Sequence, residues 1–134
     1  MLARIRKYLR EAKRAKKEHE SAWAGVLTVR PDGLTAFQAE CLRRVEAVLE
    51  SRRLELSNRR SGVAEVPWEP EPEILVLAEV PALGAKFWFF DNQTGISVPE
   101  REFRLEHYDV RDPSEYYERL ESFVSSLPVM EGAA

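Results

Sequence analysis

Lys86-Phe87-Trp88-Phe89-Phe90-Asp91 is the stretch that decides the fold, four consecutive aromatic residues closed at both ends by charge. Successive side chains of a strand point to opposite sides of a sheet, and each ring removes a large area from water. The run therefore predicts a short strand buried on both faces, with its rings building the core. A stacking platform for RNA would instead carry its rings on one exposed face beside basic neighbours. Any function at this strand is expected at its charged ends, Lys86 and Asp91.

Toward the N-terminus, Ile74 to Val80 (ILVLAEV) is apolar on both faces and Pro81 to Ala85 supplies a short loop, so the two strands form a hairpin. Glu79 interrupts the apolar run. A buried carboxylate must be paired or see its pKa rise, and Lys86 across the hairpin is its expected partner. Toward the C-terminus, Asp91 to Gly95 (DNQTG) reads as a turn, with Asp91 accepting its hydrogen bonds, and Ile96 to Val98 as a further strand. Arg101 to Tyr108 alternates, with Phe103, Leu105 and His107 on one face, which predicts a half-buried strand. Asp112, Pro113 and Glu115 then form a helix start with a capping box, followed by the stripe Tyr116, Leu120, Phe123, Val124 and Leu127.

Ahead of the sheet, Thr35 and Gln38 make a capping box before Phe37, Cys41, Val45, Val48 and Leu49, a helix expected to run to about Leu56. Trp23 to Val29 reads as a strand leading into the turn Arg30-Pro31-Asp32-Gly33. Ser57 to Pro72 carries three prolines and a glycine and reads as a loop. The first segment places Leu2, Ile5, Leu9 and Ala12 on one helical stripe with Tyr8 beside it. The expected architecture is an α+β domain, an antiparallel meander of three to five strands with helices on one face, in the order α-(β)-α-β-β-β-α. Residues 1–20 form a basic amphipathic arm, 21–128 a single α+β domain with a Pro/Glu-rich loop at 57–72, and 129–134 a frayed tail.

The 134 residues suit one core, and no apolar run approaches the ~20 residues that span a bilayer. Charges interrupt the N-terminal segment where the apolar part of a secretory signal would sit, and the single Cys41 excludes an intramolecular disulfide. A cytoplasmic protein is expected. The net charge of −3 conceals a division: Met1 to Glu20 carries eight Lys or Arg against three Glu, a net +5, while the other 114 residues carry 12 basic and 20 acidic groups, a net −8. A basic arm on an acidic body either reaches for a partner or docks on the body itself, and docking is the simpler reading.

Candidate chemistry is sparse. His107 and Asp109 form H-x-D, which at strand spacing would point both side chains the same way, as a metal pair or acid/base pair requires. A third ligand would have to come from a carboxylate such as Glu79 or Asp91. His107 as a structural residue beside a neighbouring carboxylate is the simpler reading, and His19 reads as solvated. Cys41 reads as a small core residue. No P-loop, dinucleotide turn, G-x-S-x-G or HExxH occurs, and no cofactor is implied.

From Leu83 to Leu127 the chain resembles the C-terminal part of small actinobacterial domains of unknown function that accompany helix-turn-helix regulators. Phe87, Trp88, Phe90 and Asp91, then Asp112 and Pro113, carry the likeness. It implies a bacterial intracellular accessory protein and supplies no catalytic residue. At the level of general architecture, an acidic α+β body also suits an immunity protein or antitoxin.

Three functions follow. The first is a non-enzymatic protein-binding module whose acidic body meets a basic partner through Glu65, Trp68, Glu69, Glu71 and Glu73. A second is nucleic-acid association through Arg4, Arg6, Lys7, Arg10, Lys13, Arg14 and Lys17, with Arg52, Arg53, Arg59 and Arg60 as a further basic cluster. The third is a metal-dependent hydrolase centred on His107 and Asp109. The thin apolar face of the arm and the loop bearing Trp68 also suit a homodimer seam.

Overall fold

The computed structural model describes residues 2–64 and 73–130. Three helices, α1 (Leu2–Ala24), α2 (Ala36–Ser51) and α3 (Pro113–Ser125), accompany five strands: β1 (Ser57–Ala64), β2 (Glu73–Val80), β3 (Ala85–Phe89), β4 (Thr94–Val98) and β5 (Arg101–Arg104). The strands follow one another as an antiparallel meander in the order β1-β2-β3-β4-β5. This is the expected α+β architecture.

Alternation sets the two faces of the sheet. Val76, Ala78 and Val80 of β2, Ala85, Phe87 and Phe89 of β3, Ile96 of β4 and Phe103 of β5 point inward, where Phe37, Cys41, Val45 and Leu49 of α2 and Tyr116, Leu120 and Val124 of α3 cover them. Phe87 and Phe89 stack with near-parallel rings 5.9 Å apart. Trp88 and Phe90 belong to the other face and are half-buried. The expectation of rings buried on both sides is thus corrected. The stripes of α2 and α3 are both spent on one side, so among the described residues no helix lies over Trp88.

The start of α2 is tied to the sheet by its own cap. Thr35 and Gln38 make the reciprocal box. Gln38, only 1% exposed, also donates through Nε2 to the carbonyls of Ile74 (2.7 Å) and Phe89 (2.6 Å). Thr35 Oγ1 donates to the Asp91 carbonyl at 2.6 Å, and the Asp91 N–H donates to Glu73 Oε1 at 2.9 Å. Asp91 therefore works through its backbone. At the far end, Arg52 donates to the carbonyls of Val124 and Leu127, capping α3, and Arg44 joins Glu40 to Glu121 between the two helices.

Several boundaries differ from the sequence reading, each for a local reason. The expected strand Trp23–Val29 is instead the end of α1 and a turn, because the Trp23 indole enters the core as the last residue of the α1 stripe. Only Val29 makes a bridge, to Thr35. The expected loop from Ser57 begins as β1, an edge strand defined by the free hydrogen-bonding edge of β2 and not by any apolar pattern of its own. An irregularity between Ser57 and Arg60 accompanies a left-handed Asn58, φ 52°.

β5 ends at Arg104, short of the expected Tyr108. The Thr94 N–H of β4 donates to the Tyr116 hydroxyl at 2.8 Å instead of to an extension of β5. The Glu115 carboxylate accepts from the Arg111 N–H, not from the N-cap residue Asp112, because the Arg111 guanidinium draws it one residue further back. Met130, placed in the frayed tail, donates its N–H to Ala82 at 2.8 Å. Its sulfur lies over Gly84, whose left-handed φ of 62° turns β2 into β3 and whose position a Cβ would fill.

Candidate functional site

The arm is longer and barer than its sequence implied. Every residue from Leu2 to Glu18 is exposed, including Leu2 (71%), Ile5 (54%), Tyr8 (71%) and Leu9 (52%). All eight cations of α1 are solvated, and no ion pair among the described residues involves any of them. The simpler reading, in which the arm docks on its own body, is therefore corrected. An unbroken helix, anchored by Trp23 at its far end, carries the arm into solvent.

The charges of α1 also run against its dipole. Arg4, Arg6 and Lys7 crowd the N-terminal end, where the dipole is already positive, no acid occupies the first turn, and Glu18 and Glu20 lie toward the other end. The helix pays for this arrangement with some of its own stability. The result is a concentrated positive potential at the tip.

At the root of the arm, Trp23 is 2% exposed and packs against Phe37 (5.2 Å), Tyr116 (6.0 Å) and His107 (5.2 Å). His19, one turn earlier, stacks on the His107 ring at 5.9 Å and donates from Nε2 to the His107 carbonyl at 3.0 Å. His19 is thus a latch residue, not the solvated side chain expected. The signal was its place on the stripe of Ala12 and Trp23, at helical spacing.

His107 lies on a short 3-10 turn, His107–Asp109. At three residues per turn the two side chains diverge, so the shared direction required of a metal or acid/base pair is lost. His107 turns toward Trp23 while Asp109 is exposed. Among the described residues no group of three or more His, Cys, Asp or Glu is gathered for a metal ion.

Burial first, and His19 second, hold the His107 imidazole below its ordinary value of 6.5, against smaller upward pulls from Glu106 and Asp91. The folded chain then binds this proton less readily than the unfolded one. Stability from this group is complete above pH 6.5 and falls as the pH drops below it. We expect the urea midpoint to decline between about pH 7.5 and about pH 5.5, and His107→Gln to flatten that decline. Equal slopes for both proteins would assign the acid sensitivity elsewhere.

The open side of the sheet is the second unusual surface. The register sets Arg60, Leu77, Trp88, Gly95 and Arg104 opposite one another across all five strands. Beside this row lie Glu79, Lys86, Ser97 and Glu102. Glu79 and Lys86 face each other as expected, yet Glu79 is only half-buried on this open face and accepts from Asn58 Nδ2 at 3.1 Å in place of an ion pair. Leu75 and Phe90 widen the apolar centre.

Of the residues assigned to acidic-body binding, Glu65, Trp68, Glu69 and Glu71 lie outside the described residues, and Glu73 is engaged with Asp91. In the second basic cluster, Arg52 is a helix cap and Arg59 pairs with Glu46 at 3.1 Å, so both are spent within the fold. Cys41 is fully buried, which pushes its thiol up to about 12, the behaviour of a core residue. No helix among the described residues is long and apolar enough to cross a membrane. No protein-family model, curated protein or solved structure matches the chain.

Proposed function

We propose that this protein binds duplex DNA through α1. The observation that carries the reading is the exposure of all eight arm cations, none of them in an ion pair among the described residues, on a helix whose dipole adds to their field at the tip. At 23 residues α1 is ~35 Å long, and a helix of ~10–12 Å diameter suits a major groove ~12 Å wide. The resemblance carried by Phe87, Trp88, Phe90, Asp91, Asp112 and Pro113 to domains that accompany helix-turn-helix regulators is compatible with this reading.

Binding of this kind is set by counterion release. If about five of the cations meet phosphates, log affinity falls against log salt with a slope of about −4.5, a loss of roughly 500-fold between about 50 and about 200 mM. Anisotropy titrations with a duplex about 20 base pairs long are expected to show this slope. Exchanging Arg6, Arg10, Arg14 and Lys17 for glutamine is expected to weaken binding by about 100-fold or more and flatten the slope by about 3 to 4. No binding at about 50 mM salt, or equal binding by the quadruple variant, would overturn the reading.

A further inference from the structure

Among the described residues two apolar surfaces have no partner, the stripe of α1 and the open face of the sheet, and we infer that each covers the other in a second copy. This exchange is independent of DNA binding.

The stripe begins with Leu2, Ile5 and Leu9, with Tyr8 beside it, all more than half exposed. Large apolar side chains clustered on one solvated face mark an interaction site. They cannot turn back onto their own sheet. Trp23 anchors α1 among Phe37, Tyr116 and His107 on the covered side, and the helix is unbroken from there to Leu2. The open face lies on the opposite side of the same strands.

That face has the anatomy of a docking surface, with an apolar centre of Leu75, Leu77, Trp88 and Phe90 inside a rim that includes Arg60, Lys86 and Glu102. Gly95, lacking a side chain beside Trp88, leaves an open cavity of about 430 Å³ lined also by Phe90, Ser97, Glu102 and Arg104. The dimensions agree. Leu2 to Ala12 covers ~15 Å of helix, and the row from Arg60 to Arg104 crosses four strand gaps, ~19 Å.

Charge chooses a second copy over an unrelated partner. The arm is net +5 and the rest of the chain net −8, so arm and body attract between copies. Two arms pairing only with each other would set +5 against +5. A two-fold exchange, each arm on the other copy's sheet, satisfies both apolar faces twice, as an isologous interface requires. Lys7, Arg10, Arg14 and Lys17 fall on the opposite side of α1 and stay directed outward.

Sedimentation equilibrium of the full chain, without nucleic acid, tests this directly. The expected mass is twice 15.4 kDa at micromolar concentration, dissociating as salt rises. Ile5→Glu with Leu9→Glu, on the arm, is expected to weaken the dimer by about 100-fold or more. Trp88→Ala and Gly95→Leu, on the sheet, are each expected to weaken it by about 10-fold or more; the Cβ that Gly95→Leu adds comes no closer than 3.8 Å to any neighbour. Circular dichroism confirms that the variants are folded.

An equimolar mixture of the arm variant and a sheet variant is expected to form a heterodimer, because one complete arm and one complete sheet remain between them. A wild-type chain that stays monomeric at about 100 µM, or sheet variants that dimerise like wild type, would overturn the exchange. The second outcome would mean that the arms pair with each other.

Discussion

Trp23→Ala is expected to lower the unfolding free energy by about 3–5 kcal/mol, the range for deleting a large buried aromatic side chain. Its indole is 2% exposed and touches Phe37, Tyr116, His107 and His19, so alanine leaves a cavity at the meeting point of α1, α2 and α3. The loss is not confined to the core. No other residue of α1 is buried, and most helical stability comes from packing an apolar face. With cations at the positive end of its dipole, a detached arm has little reason to remain helical. Far-UV circular dichroism should therefore lose helical signal beyond what the cavity explains, and the proposed DNA binding should weaken with it. A variant as stable as wild type, with full helicity, would show that the arm does not depend on this anchor.

Gln38→Glu is the second large effect, because an isosteric change reverses the polarity of a buried clamp. Gln38 Nε2 donates to the carbonyls of Ile74 and Phe89 while Oε1 accepts from the Thr35 N–H at 3.3 Å. A carboxylate keeps the last contact and turns an acceptor toward both carbonyls. At neutral pH the cost is about 3–5 kcal/mol, from two lost hydrogen bonds and an unpaired buried charge. Folding then favours the protonated acid, so the folded-state pKa of the introduced group rises above its unfolded value of about 4.3. The deficit is smallest below about pH 4 and grows as the pH rises through the raised value. Denaturant midpoints of wild type and variant should diverge with increasing pH; a constant gap would place the side chain outside the clamp. Gln38→Ala, which carries no charge, should cost about 2–4 kcal/mol at every pH.

Local chemistry made much of this fold legible. Thr35 and Gln38 announced the start of α2 because a capping box is completed within four residues, and Asp112 with Pro113 did the same for α3. Ile74 to Val80 and the aromatic run gave the central hairpin because turn residues separate two β-rich segments at short range. The tethers that Gln38 makes to Ile74 and Phe89 were invisible, being contacts across 36 and 51 residues with no local trace. β1 was hidden for the same reason. Its residues, SNRRSGVA, have no strand pattern, and only the edge of β2 makes them one.

The candidate surfaces divide the same way. Arm cations were plain in the sequence, since charge is a property of composition. Whether they were neutralised was not, because an ion pair with the body depends on the direction in which α1 leaves Trp23. His107 and Asp109 looked like a pair at strand spacing, and the shift to a 3-10 turn separated them.

For the strand Lys86 to Asp91, the sequence by itself determined that aromatic rings would lie at the middle of a sheet, because alternation and hydrophobic area are local properties. Only the tertiary structure decided that Phe87 and Phe89 would face the core while Trp88 and Phe90 would not. That choice turns on how many apolar helix faces the chain can bring to the sheet. α2 and α3 pack together on one side, and among the described residues no helix covers the rings of the other.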